Sequence, residues 1–162
     1  MPAFTWGSSM TLLFAFLIGL FAGLRSLTPA AVTSWAGYLG WLKLKTPLAW
    51  MGTLTTAVIF TLFALMEIVA DKLPTTPSRT APPGLIARIV LGGLAGACVA
   101  VADTEGLTTG ALLGVLGALA GCFGGYQVRT RMVQALRVPD FAIAVIEDLV
   151  TIGGSLWVVS RF

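Results

Sequence analysis

Residues 11–42 read TLLFAFLIGLFAGLRSLTPAAVTSWAGYLGWL, and this stretch decides the class of fold. Up to Leu24 it carries no charge, and a crossing helix needs about 20 largely apolar residues. A first span therefore runs from Phe4 or Met10 to Leu24. Arg25 ends it. Thr28 is a good N-cap and Pro29 a good first helical residue, so a helix restarts there. That second helix, from Pro29 to Leu42, is only ~21 Å long against a hydrocarbon core of ~30 Å. It is either a short crossing or a re-entrant segment.

Outward from this stretch the pattern repeats. Further apolar runs cover Leu48–Ala70, Leu85–Ala102, Leu107–Tyr126 and Phe141–Ser160. Between them lie the proline-rich loop from Asp71 to Gly84, the tight acidic turn Asp103–Gly106 and the basic loop from Gln127 to Asp140. Hydrophobic residues make up 57% of the 162-residue chain and charged residues 10%, with a mean hydropathy of +0.92. A soluble domain carries roughly a quarter of its residues charged, so most of this surface faces lipid. The expected fold is all-α: a single integral membrane domain over residues 1–162, a polytopic transmembrane bundle of five to six segments.

The net charge of +3 and pI near 9.2 do not point to nucleic acid, because the basic residues sit in short loops rather than in an aromatic-interleaved stripe. They orient the chain instead. With six crossings, one side collects Arg25, Lys72, Arg79, Arg88, Arg129, Arg131 and Arg137. The other has Lys43, Lys45 and Arg161 with the acidic turn. The first side is expected to be cytoplasmic, in a bacterial inner membrane, with both termini outside. A re-entrant second helix would move only the N-terminus. The first residues lack a positive n-region and a small-residue cleavage site, so they are read as retained.

The chain has no histidine, and Cys98 and Cys122 stand alone inside apolar runs. The commonest metal ligand and general base are missing, and no nucleotide, nucleophile-elbow or zinc-helix motif is present. Neither an enzyme nor a cofactor is expected. The informative residues are charges within the membrane, which cost several kcal/mol unless paired or hydrated. Glu67 and Asp71 share a helix face, Arg88 lies one turn into its helix, and Glu147 and Asp148 lie ~10 Å into the last span. With Arg25 they form one polar layer near the cytoplasmic side.

Two readings of this layer compete. One is a set of structural ion pairs, such as Arg25 with Asp71 and Arg88 with Glu147. The other is a binding site, with Arg25, Ser26 and Thr28 at a helix N-terminus whose free N–H groups favour an anion. Lys72 and Arg79 at the same level would add to it.

Gly110, Gly114, Gly117, Gly121 and Gly124 form a small-residue stripe, matched by Gly19 and Gly23 and by Gly93, Gly96 and Ala100. Such stripes let membrane helices approach closely, here within one chain or in a homo-oligomer. The contexts Ala64-Leu65-Met66-Glu67 and Ala144-Val145-Ile146-Glu147 suggest two inverted three-element halves, a transporter plan. Chance likeness between apolar helices is the alternative.

The motifs Gly23-Leu24-Arg25-Ser26-Leu27-Thr28-Pro29 and Glu67-x-x-x-Asp71-Lys72-x-Pro74-x-Thr76-Pro77-Ser78-Arg79-Thr80-Ala81-Pro82-Pro83 resemble an uncharacterised bacterial membrane-protein family, domain of unknown function 4126. The resemblance continues through Gly117–Tyr126 and Glu147-Asp148, so it covers nearly the whole chain. It implies the membrane class and singles out the same charged positions, without assigning an activity. The expected function is a small transporter, flippase or channel that binds an anion or anionic lipid headgroup at the polar layer. The expected partners are membrane lipids and a second copy of the chain. The alternative is a non-transporting structural or assembly subunit.

Overall fold

The computed structural model describes residues 7–71, 81–136 and 139–162. Among them there are six α-helices: α1 (Ser8–Leu24), α2 (Leu27–Tyr38), α3 (Leu54–Ala70), α4 (Pro82–Ala102), α5 (Leu107–Leu136) and α6 (Asp140–Val159). Three of them, α4 to α6, are long and apolar enough to cross a membrane, and α1 and α3 are shorter apolar helices. The chain is a polytopic helical membrane bundle.

Its core is α1, α4 and α5, fused by glycine. A Cβ placed on Gly117 or Gly121 would strike the α1 backbone at Phe16 or Leu20, and one on Gly19 or Gly23 would strike α5. On its other flank α5 meets α4: a Cβ on Gly96 would lie 2.8 Å from Gly114 Cα. Lipid offers no hydrophobic drive for helix pairing, so this backbone contact supplies the adhesion. Four of the five glycines in the α5 stripe are thus buried within one chain. Gly124 is the exception, with open space where its Cβ would be.

The second helix answers the question of short span or re-entrant loop. It ends at Tyr38, well before Leu42. The chain then continues as an irregular segment with a 3-10 turn at Ala49–Gly52, and α3 begins only at Leu54, capped by the Thr53 hydroxyl. Leu42 packs with Ala36 and Val159, and Leu44 joins them beside Ala102 and Phe162. These partners lie at the far ends of α4 and α6, so α2 and its irregular extension together cross the bundle. Leu42, Leu48 and Met51 anchor the irregular segment in the bundle, while Lys43, Lys45 and most of its other residues are exposed. Tyr38, Trp41, Trp50 and Trp157 are half-exposed around this end, where an aromatic belt meets the headgroups.

Two other boundaries move. The stretch from Gln127, expected as a basic loop, is helical to Leu136. It contains neither glycine nor proline to stop it, and α5 runs on as one 30-residue helix. Pro139, in extended conformation, then opens α6. At the other end of the core, α4 closes with Thr104 in the left-handed region at φ 67°. Glu105 N–H returns to Ala100 O at 2.9 Å, a Schellman-type stop. Asp103 beside it accepts the buried Thr11 hydroxyl at 2.5 Å.

The packing does not carry the inverted repeat. An axis in the membrane plane would put the counterpart of Glu67 at the far side. Glu67 lies near the end of α3 and Glu147 in the first half of α6, and both stand at the same, charged end of the bundle. The α1–α5 seam is also the most extensive in the molecule, whereas α2 and α4, its would-be counterpart, touch far less.

Candidate functional site

The site is built around the interruption between α1 and α2. Breaking a helix inside a membrane leaves carbonyls at one stump and N–H groups at the other without partners. Both stumps are closed by charges from neighbouring helices. Arg88 Nε donates to Gly23 O at 3.1 Å, and its Nη1 reaches Gly84 O at 3.0 Å. A cation thus sits on the carbonyl end of α1, where the dipole favours it. Glu67 closes the other stump. Its carboxylate accepts Ser26 N–H at 2.9 Å, the Ser26 hydroxyl at 2.6 Å and Leu27 N–H at 2.9 Å.

This corrects two expectations. Helix α2 starts at Leu27 rather than at Pro29, and Thr28 is not its cap. The anion expected at the N-terminus of α2 is present, but the chain supplies it. Glu67, forty residues further on, is that anion. Carboxylate and helix N-terminus attract for the reason first anticipated, so the chemistry was right and the ligand was internal.

Arg25 lies between the stumps, fully buried at 0% exposure. Its Nη1 is 2.5 Å from Asp71 Oδ2 and its Nε 2.6 Å from Asp148 Oδ1. These are ion pairs by distance without hydrogen-bond alignment, so charge rather than directional bonding holds them. Asp71 Oδ2 also meets Arg129 Nη1 at 3.5 Å, and the same nitrogen reaches Glu147 Oε2 at 3.1 Å. Arg129 Nε donates to Asp140 at 2.7 Å, with a second, tighter contact between the same two side chains. Acid and base alternate from Asp148 through Arg25, Asp71 and Arg129 to Glu147, which is Asp148's neighbour in sequence. The chain of pairs closes on itself through α6 and links the α1 break, α3, α5 and α6.

The expected Arg25–Asp71 pair is present. Glu147 meets Arg129, and Arg88 caps α1. Lys72 and Arg79 lie outside the described residues, as does most of the loop that carries them and Arg137 in the second basic loop. Arg129 and Asp140 were not among the candidate site residues. Arg129 was assigned to a loop, and only the uninterrupted helical composition of residues 127–136 could have lifted it back to membrane level.

Below the ring, polar groups continue into the bundle. On α6, Asp148, Thr151 and Ser155 share one buried face, spaced so that they line a single stripe over ~10 Å. Helix α2 packs against α6 and brings the buried Thr28. Arg25 Nη2 and the hydroxyls of Thr28, Thr151 and Ser155 are buried with no hydrogen-bond partner among the described residues. Buried polar groups are ordinarily satisfied by protein or ordered water, so a seam with several of them is not simple packing.

The architecture and site define a polytopic α-helical membrane protein with an ion-pair ring around a broken helix. The chain belongs to the family described as Domain of unknown function (DUF4126), which matches residues 12–160. Comparison with curated proteins and with solved structures gave no match.

Proposed function

We propose that the protein is a small transporter or channel whose solute passes along the α2–α6 seam, with the ion-pair ring as its gate at the charged end. The observation that carries this reading is the run of buried, unpartnered polar groups: Arg25 Nη2, Thr28, Thr151 and Ser155. Broken helices beside intramembrane charges are a recurrent way to build solute sites. The favoured solute is small and hydrogen-bonding. A free anion is a poorer fit, because Asp71 and Asp148 already flank Arg25 and would repel it. We place the charged end in the cytoplasm of a bacterial inner membrane, on the basic residues gathered there.

Proteoliposomes test this by light scattering with a neutral polyol, a monovalent cation and an anion as osmolytes. Accelerated entry of the polyol is expected. It should vanish in the Thr151→Val, Ser155→Ala double variant while the melting temperature holds. Absence of flux for all three solutes would defeat the proposal, and selective anion flux would restore the anion reading.

A second reading, a structural or assembly subunit, is favoured by α3. That helix buries only Ala57 and Ala64 and turns Leu62, Leu65, Met66 and Val69 outward, a face that another membrane helix or a second copy could cover. Co-purification of a stoichiometric partner with no solute flux would select it.

A further inference from the structure

The α2–α6 seam changes character along its length. On α6 the stripe Asp148–Thr151–Ser155 is continued ~6 Å further by Val159, which is fully buried. On α2 the stripe that begins at Thr28 continues through Val32 and Ala36 at a four-residue spacing. Polar groups thus line the seam from the ring to Ser155, and apolar ones close it beyond. The apolar end is filled by a residue of neither helix. Leu42, 1% exposed, packs with Ala36 and Val159, and Val32, Leu44, Ala102 and Phe162 surround them.

Local sequence puts Leu42 there. Gly40 takes the left-handed conformation at φ 80° and turns the chain back over the end of α2. Its N–H donates to Gly37 O at 3.2 Å and that of Trp41 to Ala36 O at 2.9 Å, the Schellman pattern. Leu42 N–H shares the same Ala36 carbonyl at 3.1 Å, so its backbone is tied to a residue that its side chain covers. From Leu39 to Thr46 only Leu42 is buried, and Trp41, Lys43 and Lys45 beside it are exposed.

We propose that Leu42 is a hydrophobic gate at the far end of the seam, opposite the ion-pair ring. This rests on the reading of the seam as a solute path. A constriction lined by apolar side chains closes by dewetting, because water leaves a stretch too narrow and too apolar to hydrate it. The two ends of the path are then closed by different physics. The ring must exchange charged partners to open, whereas the plug needs only one side chain to leave, on a strap that otherwise faces outward. Such a plug also discriminates. Taking a charge through an apolar constriction costs far more than taking a hydroxyl, which favours an uncharged solute.

Thiol labelling tests the gate apart from transport. Ser155→Cys is placed in lipid nanodiscs, where both ends of the bundle meet water, and reacted with a small water-soluble thiol reagent. Mass spectrometry reads each cysteine separately, with the buried Cys98 and Cys122 as internal controls of general loosening. With Leu42 in place, Ser155→Cys should react far more slowly than Ser160→Cys, an exposed position just beyond the plug. Leu42→Ala should speed labelling of Ser155→Cys at least about tenfold, the scale of one buried leucine's apolar contact. Leu42→Asn, similar in shape but polar, should do the same, and Leu42→Met should not. Labelling that is unchanged by both Ala and Asn overturns the gate, as does rapid labelling while Leu42 is intact. Equal acceleration at Ser155→Cys, Cys98 and Cys122 overturns it too, since the whole bundle has then loosened. Polyol entry into liposomes, measured on the same variants, should rise with the labelling. The expected labelling with no polyol flux in any variant would keep Leu42 as the closure of a wetted seam and defeat the transport reading instead.

Discussion

The two sides of this bundle are held together by opposite means. On one side α1, α4 and α5 meet backbone to backbone, with glycine after glycine removing the side chains that would keep them apart. On the other, α2, α3 and α6 gather around a broken helix through carboxylates, guanidiniums and buried hydroxyls. The first tolerates no added atom and contains little chemistry. The second contains nearly all the chemistry and leaves polar groups unmatched.

The comparison breaks most readily at Arg25. Replacing it with alanine strands Asp71 and Asp148, and breaking a buried pair from one side costs about 3–5 kcal/mol. Thermal unfolding in detergent should show a large loss. The Arg25→Ala, Asp148→Ala double variant should regain part of it, and Arg25→Lys, which restores the charge without the guanidinium's reach to both carboxylates, should fall between alanine and wild type. Wild-type stability of Arg25→Ala would mean that the ring does not hold the bundle.

The next effect sharpens the glycine side. Gly121→Ala drives a methyl into the α1 backbone at Leu20 and should cost about 1–3 kcal/mol, the usual penalty of overpacking. Gly117→Leu, against Phe16, should cost more. Gly124→Ala, one turn further along the same stripe, should be neutral or slightly stabilising. Equal melting temperatures for the Gly121 and Gly124 variants would show that the stripe is not the seam.

Glu67→Ala should cost about 1–2 kcal/mol, as loss of a helix cap does, and hydrogen exchange should quicken at Ser26 and Leu27 before anywhere in α4. Exchange that stays unchanged there would remove Glu67 from the capping role. The smallest effect is expected at Thr151→Val. It removes a buried hydroxyl with no partner among the described residues and keeps the shape, so stability should hold or rise by less than about 1 kcal/mol. A marked loss would show that Thr151 has a structural partner.

Much of this was legible in the chain itself. Apolar run length fixed the class, and glycine spacing located the α5 seams. The cost of charge in lipid put Arg25 and Asp71 in one layer, where an ion pair was one of two readings, and the structure pairs them. The rest was not legible for identifiable reasons. Thr28 before Pro29 has the form of a local cap, and nothing near it signals that Glu67 takes over from another helix. Arg129 reads as a loop residue because basic residues beyond a span mark the membrane edge, whether or not the helix stops there. The reach of α2 to the far end of the bundle is invisible to hydropathy, since it depends on Leu42 and Leu44 meeting Val159 and Ala102.

The break between α1 and α2 also fixes an order of assembly. Arg25 leaves the ribosome with the first span, while the groups that neutralise it belong to α3 and α6, and those that close the stumps belong to α3 and α4. The first two segments therefore enter the bilayer unfinished, with a bare guanidinium and open backbone ends, and become stable only as later helices arrive. Asp148, the last of these partners along the sequence, belongs to α6. The α1 break is therefore neutralised only once α6 has packed against it.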